Sequence, residues 1–430
     1  MRKKVLIIFV ALLIFGNFFG CKADYGEEIS QNPQAMESAS DVPTVRLCLD
    51  FFEDISSNDI QSFLDQVIGR NNKALQIEYE IAPRPAFGEE SANAERDNYL
   101  TYLRTELMAG KGPDVFICSA FSPGGGQGIF LYPRQAMNNH LFLPLDSYLA
   151  KAQYMEMDKL LPQVMEAGKN QEGWQLLPVT YEFRMRAYDK AQYQLDLDLP
   201  MTWSQMLESG DPALLSAAGS GFFCDIFGEL GDYDRDVPAM SEEELLARAE
   251  EKLRAEEPRP SQGDTVYMTA GWMEYIDESG TAVDFSLGEN EAAGEYTLIP
   301  AYNISGGVTA NVCTFAAINR NTQCPDEAFM VLDYLLSKDC QSRDPIYSCM
   351  AGLSLHQEAG SKECPIQGKY MSEENFQEFS RVRDQINAVK FYTPLDETVS
   401  GCLHQAGESG DLEAKVHSQY MKLKMMLAES

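Results

Sequence analysis

Side chains that commonly perform catalysis or bind metals are few and scattered in this sequence. The four histidines are His140, His356, His404 and His417, and no two of them have the spacing at which a helix presents metal ligands. No H-E-x-x-H, G-x-S-x-G, Walker A or Rossmann glycine pattern occurs, and the glycine-rich run 122–128 fails the dinucleotide-binding pattern. The sequence therefore predicts no catalytic residue, no metal and no organic cofactor.

Acidic residues dominate the charge of the chain. Among 430 residues, 66 Asp and Glu oppose 34 Lys and Arg, which gives a formal net charge of −32. This balance excludes nucleic acid as a main partner, because phosphate binding needs clustered Lys and Arg. It equally disfavours adsorption to anionic lipid through a basic surface. Paired carboxylates for glycoside hydrolysis remain open, but so many acids single out no pair.

The ten cysteines show no framework of disulfide or metal ligation. No C-x-x-C occurs, so zinc-ribbon and thioredoxin-like sites are absent from the sequence. If Cys21 is modified, nine cysteines remain, and an odd number cannot all pair. We expect free, buried thiols.

The N-terminus has the pattern of an export signal. Arg2, Lys3 and Lys4 precede an apolar run over residues 5–15, which is shorter than the roughly 20 residues of a spanning helix. We predict a signal peptide over residues 1–20, and the Gly20-Cys21 pair at its cleavage point resembles a bacterial lipobox. Cys21 would then carry lipid, and the polar residues 21–43 would form a flexible tether. An uncleaved anchor is the alternative, and both interpretations place the remaining chain outside the cytoplasm.

From residue 44 the pattern alternates between strands and helices. Apolar residues at positions 45, 47 and 49 share one face of a strand, and a helical stripe over residues 60–68 follows. A strand over 75–81, a helix over 99–108 and a strand over 115–118 complete a β-α-β-α-β order. This order predicts a mainly parallel sheet covered by helices.

A second series of elements begins near residue 174. We predict strands over 295–300 and 309–318, and helices over 241–257, 326–336, 376–388 and 412–427. Two α/β lobes built from one chain are the simplest architecture for this pattern.

Several short motifs occur in an order that resembles one family. They are LMAGKGPDVF at 107–116, LFLPLDSY at 141–148, GWQLLP at 173–178, LPMTW at 199–203, MTAGW at 268–272 and QCPDEAFMVLDYLL at 323–336. Together they are similar to motifs of the extracellular solute-binding proteins of carbohydrate ABC transporters, the family 1 group that includes the maltose-binding proteins.

The resemblance implies an α/β, two-lobed fold of the type II periplasmic-binding kind, with hinge crossings near 178–180, 300 and 344–345. Lobe 1 would comprise residues 44–178 and 301–343, and lobe 2 residues 179–300 and 344–430. The implied function is capture of a sugar or oligosaccharide between the lobes and its delivery to an ABC permease. A non-sugar solute, a sensor role and an exported glycan hydrolase are the alternatives.

Sugars present apolar C–H faces and polar rims, so aromatic rings and carboxylates suit them. Trp272 follows Gly271 and matches the family's cleft tryptophan. Glu182 lies four residues after Pro178, where the family carries a ligand-binding glutamate beside the hinge. Tyr181 is the neighbouring candidate. The resemblance implies that Trp272 and Glu182 contact the solute; a tryptophan packed within lobe 2 and a solvated or hinge carboxylate are the alternatives.

Five further residues are candidates by position. Asp50 and Phe51 follow the first strand, where the family has its first cleft loop. Ser119 follows the strand of the PDVFIC motif, at an edge where ligands bind in open α/β sheets. Gly306 and Gly307 would let the backbone approach a ligand closely.

Overall fold

A computed structural model gives the fold of the chain. The structure describes residues 43–51, 61–62, 64–66, 75–84, 90–120, 128–190, 200–254, 265–269, 272–276, 282–284, 295–343, 352–366, 370–403 and 411–429. Within this part of the chain, no helix is long and apolar enough to cross a membrane. The predicted signal peptide, the tether and Cys21 lie outside the described residues.

Sixteen strands and twelve α-helices are numbered here in chain order. The strands are β1 Thr44–Asp50, β2 Gln76–Ile81, β3 Val115–Ser119, β4 Lys169–Asn170, β5 Gly173–Trp174, β6 Leu176–Glu182, β7 Met185–Asp189, β8 Gly231–Asp232, β9 Val237–Pro238, β10 Thr265–Thr269, β11 Trp272–Ile276, β12 Ala282–Asp284, β13 Tyr296–Pro300, β14 Val308–Ile318, β15 Leu353–Ser354 and β16 Ile386–Phe391. The helices are α1 Glu90–Met108, α2 Pro133–Asn138, α3 Asp146–Leu149, α4 Pro162–Met165, α5 Trp203–Glu208, α6 Pro212–Ser220, α7 Glu242–Arg254, α8 Pro325–Leu335, α9 Lys338–Gln341, α10 Glu373–Arg383, α11 Pro394–Ser400 and α12 Leu412–Glu429.

A seven-stranded mixed sheet organises the described structure. Its order is β15-β6-β14-β3-β1-β2, and β16 pairs with β14 outside this path. β1 runs parallel to β2 and β3, as the β-α-β order predicts, whereas β14 is antiparallel to β3 and β6. Val45, Leu47 and Leu49 of β1 are buried as the alternation predicts, but Cys48 and Asp50 are buried as well, so the second half of the strand is covered on both faces.

β14 joins two parts of the sheet along its eleven residues. Its second half, residues 314–318, pairs with β3 on one side and residues of β6 on the other. Its first half, residues 308–312, pairs in parallel with β16. Ten of its eleven residues are buried, so the strand belongs to the core along nearly its whole length.

Aromatic side chains link the two halves of this core. Phe315 on β14 packs edge-on against Phe391 at the end of β16, with ring centroids 5.6 Å apart. Phe130 lies 6.2 Å from Phe315 and makes edge contacts with Phe116 and Phe142. Edge-to-face packing is a favourable arrangement of aromatic rings. The contacts form one continuous aromatic layer around β14.

The predicted helix over 376–388 is wrong in its last turn. The helix α10 begins at Glu373 and ends at Arg383, and residues 386–391 form the strand β16. The backbone of this segment pairs with β14, which satisfies its hydrogen-bonding groups better than an exposed final turn.

α10 also covers the free edge of β13. Glu378 Oε1 accepts a hydrogen bond from the backbone N–H of Leu298 at 2.9 Å, and Arg381 donates to the Leu298 carbonyl at 2.8 Å. Asn375 accepts from the Tyr296 N–H. These side chains make the hydrogen bonds that a neighbouring strand would otherwise make, and they cover the edge against pairing with another chain.

All eight described cysteines are free, and six of them are buried. Burial raises the pKa of the Cys402 thiol to about 11. A protonated thiol is a poor nucleophile, so Cys402 is unreactive at neutral pH.

Candidate functional site

The carboxyl ends of several strands meet beside the middle of β14. Asp50 ends β1 opposite Cys118 of β3, and Ser119 ends β3 opposite Thr314 of β14. Thr314 is also opposite Thr180, near the end of β6. β16, which pairs with the first half of β14, ends with Phe391 opposite Val312. We call this region, residues 312–314 of β14 with the ends of β1, β3, β6 and β16, the strand junction.

The junction is a meeting of carboxyl ends of strands that pair with different halves of β14. In open α/β sheets, ligands bind outside the carboxyl ends of strands, where the topology changes direction. Here β3 and β16 end within two residues of each other along β14 while pairing with its different halves. The structure therefore brings the predicted residues Asp50, Ser119, Tyr181 and Glu182 to one edge.

Asp50 is fully buried and held by an ion pair. Arg96 of α1 reaches its two carboxylate oxygens at 2.9 and 3.1 Å, and the Ile129 N–H donates to one of them at 3.1 Å. Arg96 also donates to the Pro83 carbonyl. The predicted neighbour Phe51 is buried in the core. Asp50 thus fixes two chain segments at the rim of the junction.

Ser119 is half-buried, and its strand is tied to β14 beyond its last residue. The Ala120 N–H donates to the Cys313 carbonyl at 2.8 Å. This bond holds the end of β3 against the centre of the junction.

Tyr181 and Glu182 end β6 with different surroundings. Tyr181 is 1% exposed and stacks on Phe183, and its burial raises the pKa of the phenol to about 12. Glu182 is partly exposed, with an oxygen 3.7 Å from the guanidinium of Arg184. A carboxylate and a guanidinium therefore lie at the point where the chain leaves the large sheet for β7.

Sequence reasoning missed an aromatic pair beside this point. Phe222 precedes the short helix Phe223–Phe227 and is 36% exposed. The Arg184 guanidinium lies over its ring, 4.9 Å from the centroid, and Tyr392 packs edge-on at 6.3 Å. The sequence signal was an apolar residue directly after Gly221 and ahead of a helix, which does not by itself indicate exposure.

A buried ion cluster lies behind the aromatic pair. Lys390 of β16 donates to Asp396 at 2.6 Å and to the Cys224 carbonyl at 3.0 Å, and it lies 3.2 Å from Asp225. Burial opposes the charge on Lys390, but Asp396 and Asp225 raise its pKa well above the ordinary value, so the ammonium persists. Asn311 of β14 donates to Asp225 at 3.2 Å.

Gly306 and Gly307 lie away from the junction, in the turn that leads into β14. Gly306 has φ +78°, and a Cβ on Gly307 would stand 2.2 Å from the side chain of Asn387. Asn303 accepts hydrogen bonds from the Gly307 and Ser305 N–H groups. This turn therefore explains both glycines by local geometry.

Trp272 begins β11, opposite Thr269 of β10. Its side chain is outside the described part of the structure, so its contact with solute stays a prediction. Among the described residues, no group of three or more His, Cys, Asp or Glu side chains could hold a metal ion.

No protein-family model matches the sequence, and no curated protein sequence matches it. Solved structures do align with it over nearly their whole length. An extracellular solute-binding protein of family 1 from Alicyclobacillus acidocaldarius aligns with a TM-score of 0.55 at 12% identity, over 90% of this chain and 98% of that one. The sugar-binding protein MalE from Xanthomonas citri gives a TM-score of 0.55 at 13% identity, with the same coverage of both chains. A de novo designed cysteine esterase gives a TM-score of 0.57 at 12% identity, over 90% and 98% of the two chains.

The chain has the α/β fold of the two-lobed extracellular solute-binding proteins. This confirms the fold that the motifs predicted. The strand junction lies where β14 passes between its two sets of partner strands.

Proposed function

We propose that this protein is an extracytoplasmic solute-binding lipoprotein that captures a sugar or oligosaccharide at the strand junction and delivers it to an ABC permease. The observation that carries the proposal is the exposed ring of Phe222 beside Glu182 and Arg184, at the meeting of strand ends from both halves of β14. An aromatic face suits the C–H face of a sugar, and charged side chains suit its hydroxyl groups. The similar structures of a family 1 solute-binding protein and of a sugar-binding protein support this interpretation.

In this proposal the two lobes meet across the junction. We place one crossing at Phe183–Arg184, because β6 pairs with β14 whereas β7 pairs with β13. We place a second crossing at residues 312–314, where β14 changes partners. The crossings predicted near 178–180 and 300 fall within β6 and at the end of β13, and the one near 344–345 lies outside the described residues. A solute that contacts both lobes would favour their closure.

Thermal unfolding of residues 44–430 against a panel of mono- and oligosaccharides tests the binding. A ligand that binds only the folded state adds about 2.7 kcal/mol at a hundred times its Kd, so the melting temperature should rise. We expect Phe222→Ala to abolish that rise and Trp272→Ala to weaken it. Tyr102→Ala is the matched control, because Tyr102 is an aromatic residue 57% exposed on α1. No shift with any sugar would overturn the carbohydrate assignment.

The proposal includes a binding role without catalysis. Incubation of the purified protein with each bound sugar, followed by chromatography of the products, tests this point. Unchanged sugar is the expected result, and turnover would instead support the glycan hydrolase.

Anchoring is a separate part of the proposal. Lipid on Cys21 and the tether over residues 21–43 would hold the binding unit at the membrane. Cys21→Ala is expected to move the protein from the membrane fraction to the medium, and continued membrane association would favour an uncleaved anchor.

A further inference from the structure

We propose that Lys390 is a positioning residue of the solute site, which holds the rings of Phe222 and Tyr392 in place from behind. The inference rests on the proposed function and names the group that shapes the same site. Lys390 is fully buried and lies two residues before Tyr392, whereas Cys224 and Asp225 lie two and three residues after Phe222.

One set of contacts ties Lys390 to the segment that carries Phe222. Its ammonium donates to the Cys224 carbonyl at 3.0 Å and lies 3.2 Å from Asp225 Oδ1. Asn311 donates to the same oxygen at 3.2 Å. The short helix after Phe222 is thereby fixed to β14, the strand that runs through the junction.

A second set ties Lys390 to the segment that carries Tyr392. Asp396 Oδ1 accepts from Lys390 at 2.6 Å, and Asp396 Oδ2 accepts from the Thr393 N–H and hydroxyl at 2.8 and 3.0 Å. Thr393 and Asp396 form the capping box that begins α11, immediately after Tyr392. The turn between β16 and α11 is thus held by the same ammonium as the turn before Phe222.

The contact between the exposed ring of Phe222 and the ring of Tyr392 depends on the positions of the two segments that the Lys390 ammonium joins. The rings of Phe222 and Tyr392 come from chain segments 170 positions apart, yet they meet edge-on at 6.3 Å. Lys390 bonds to both segments, so its polar bonds help to hold the two backbones at this spacing. Loss of the ammonium would leave two buried carboxyl groups without their cation and would remove the bonds through which Lys390 joins the two segments.

The test compares sugar affinity with stability in matched variants, using the sugar that gives the largest thermal shift with the wild-type protein. Isothermal titration is performed at least 20 °C below each melting temperature, so that only folded protein is measured. We expect Lys390→Met to weaken binding about tenfold or more, and Asp225→Asn to weaken it a few-fold because Lys390 keeps its bonds to Asp396 and Cys224.

Asp333→Asn is the control for a purely structural effect. Asp333 is a buried carboxylate that accepts hydrogen bonds from the N–H groups of Gln153, Tyr154 and Met155, none of them at the junction. This variant should lose stability and keep its affinity within twofold. A folded Lys390→Met variant with wild-type affinity would overturn the inference while leaving the proposed function intact.

If the Lys390→Met variant does not fold, the affinity of the Asp225→Asn variant for the same sugar is the test. An unchanged affinity in that variant would also overturn the inference. A wild-type protein that binds no sugar overturns the proposed function and this inference with it.

Discussion

Two ion clusters of opposite composition differ in how deeply their charged side chains are buried in this protein. In the first, one lysine, Lys390, lies between two carboxylates, Asp225 and Asp396, and the three side chains are 1, 11 and 2% exposed. In the second, one carboxylate, Glu358, lies between two lysines, Lys159 and Lys338, at 3.1 and 3.0 Å, and their exposures run from 38 to 45%. The distances are similar, but the surroundings differ.

Distance alone therefore does not measure the strength of an ion pair. Exposed pairs gain little, because water screens the charges and long side chains lose freedom when they are held. Buried pairs do not guarantee net stability either, but removal of one partner leaves an uncompensated charge in the interior. The buried cluster can therefore fix backbone positions, whereas the exposed cluster can only bias them.

Lys390→Met should give the largest loss of stability, because it leaves two carboxylates buried without their cation. We expect the free energy of unfolding to fall by about 3–5 kcal/mol, measured by urea denaturation at pH 7. The double variant Lys390→Met/Asp396→Asn should recover part of this loss. A loss below about 1 kcal/mol would show that the buried cluster behaves like the exposed one.

Arg96→Met tests the comparison at a buried pair with one carboxylate. Asp50 would lose both guanidinium bonds but would keep the N–H of Ile129. We expect a loss of about 3 kcal/mol, smaller than for Lys390→Met because only one carboxylate is left without its cation. An equal or larger loss would mean that the loss of stability does not depend on how many buried carboxylates lose their cation.

Glu358→Gln should have a small effect, because its partners remain in water. We expect a loss below about 1 kcal/mol that shrinks further in 1 M NaCl. The same denaturation experiment at low and high salt measures it, and the loss for Lys390→Met should change little with salt. A salt-independent loss of several kcal/mol would contradict this account of the exposed cluster.

The pH dependence of the exposed cluster gives the smallest effect. Hydrogen bonds from Lys338 and Lys159 lower the pKa of Glu358 from its ordinary 4.5 to about 2. A carboxyl with a lowered pKa contributes stability above its unfolded pKa and loses it as the pH falls through the folded pKa. The difference in stability between wild type and Glu358→Gln should therefore be constant above about pH 5.5 and vanish towards pH 2. If the difference in stability grew on acidification, the folded state would raise the pKa of Glu358 instead of lowering it.

Local patterns predicted much of the fold. The alternation of residues 45, 47 and 49 predicted β1, and the apolar run after Pro113-Asp114 predicted β3. The helix predicted over 376–388 went wrong where the chain becomes β16, because pairing with β14 lies in distant sequence. The mixed direction of the sheet was missed for the same reason, since β14 follows β3 by almost 200 residues.

The candidate site could be predicted only in part. The ends of β1 and β3 are visible as the ends of apolar runs, which made Asp50 and Ser119 candidates by position, whereas Glu182 and its neighbour Tyr181 were candidates through the family resemblance. That these four residues lie at one edge follows only from the strand pairing. Phe222 and Tyr392 could not be found, because their exposure and contact depend on how two distant turns pack. Gly306 and Gly307 were predicted to let the backbone approach a ligand closely or to form a turn, and they form the turn before β14, away from residues 312–314.

Local sequence specifies the elements that depend on near neighbours, namely the strands, helices and caps whose residues interact within a few positions. The acidic charge and the pattern of an export signal also follow directly from composition and residue order. Long-range packing specifies which strand ends meet at residues 312–314 and which carboxylates share Lys390. These contacts join residues tens to hundreds of positions apart, and their energies depend on burial, which no local pattern specifies.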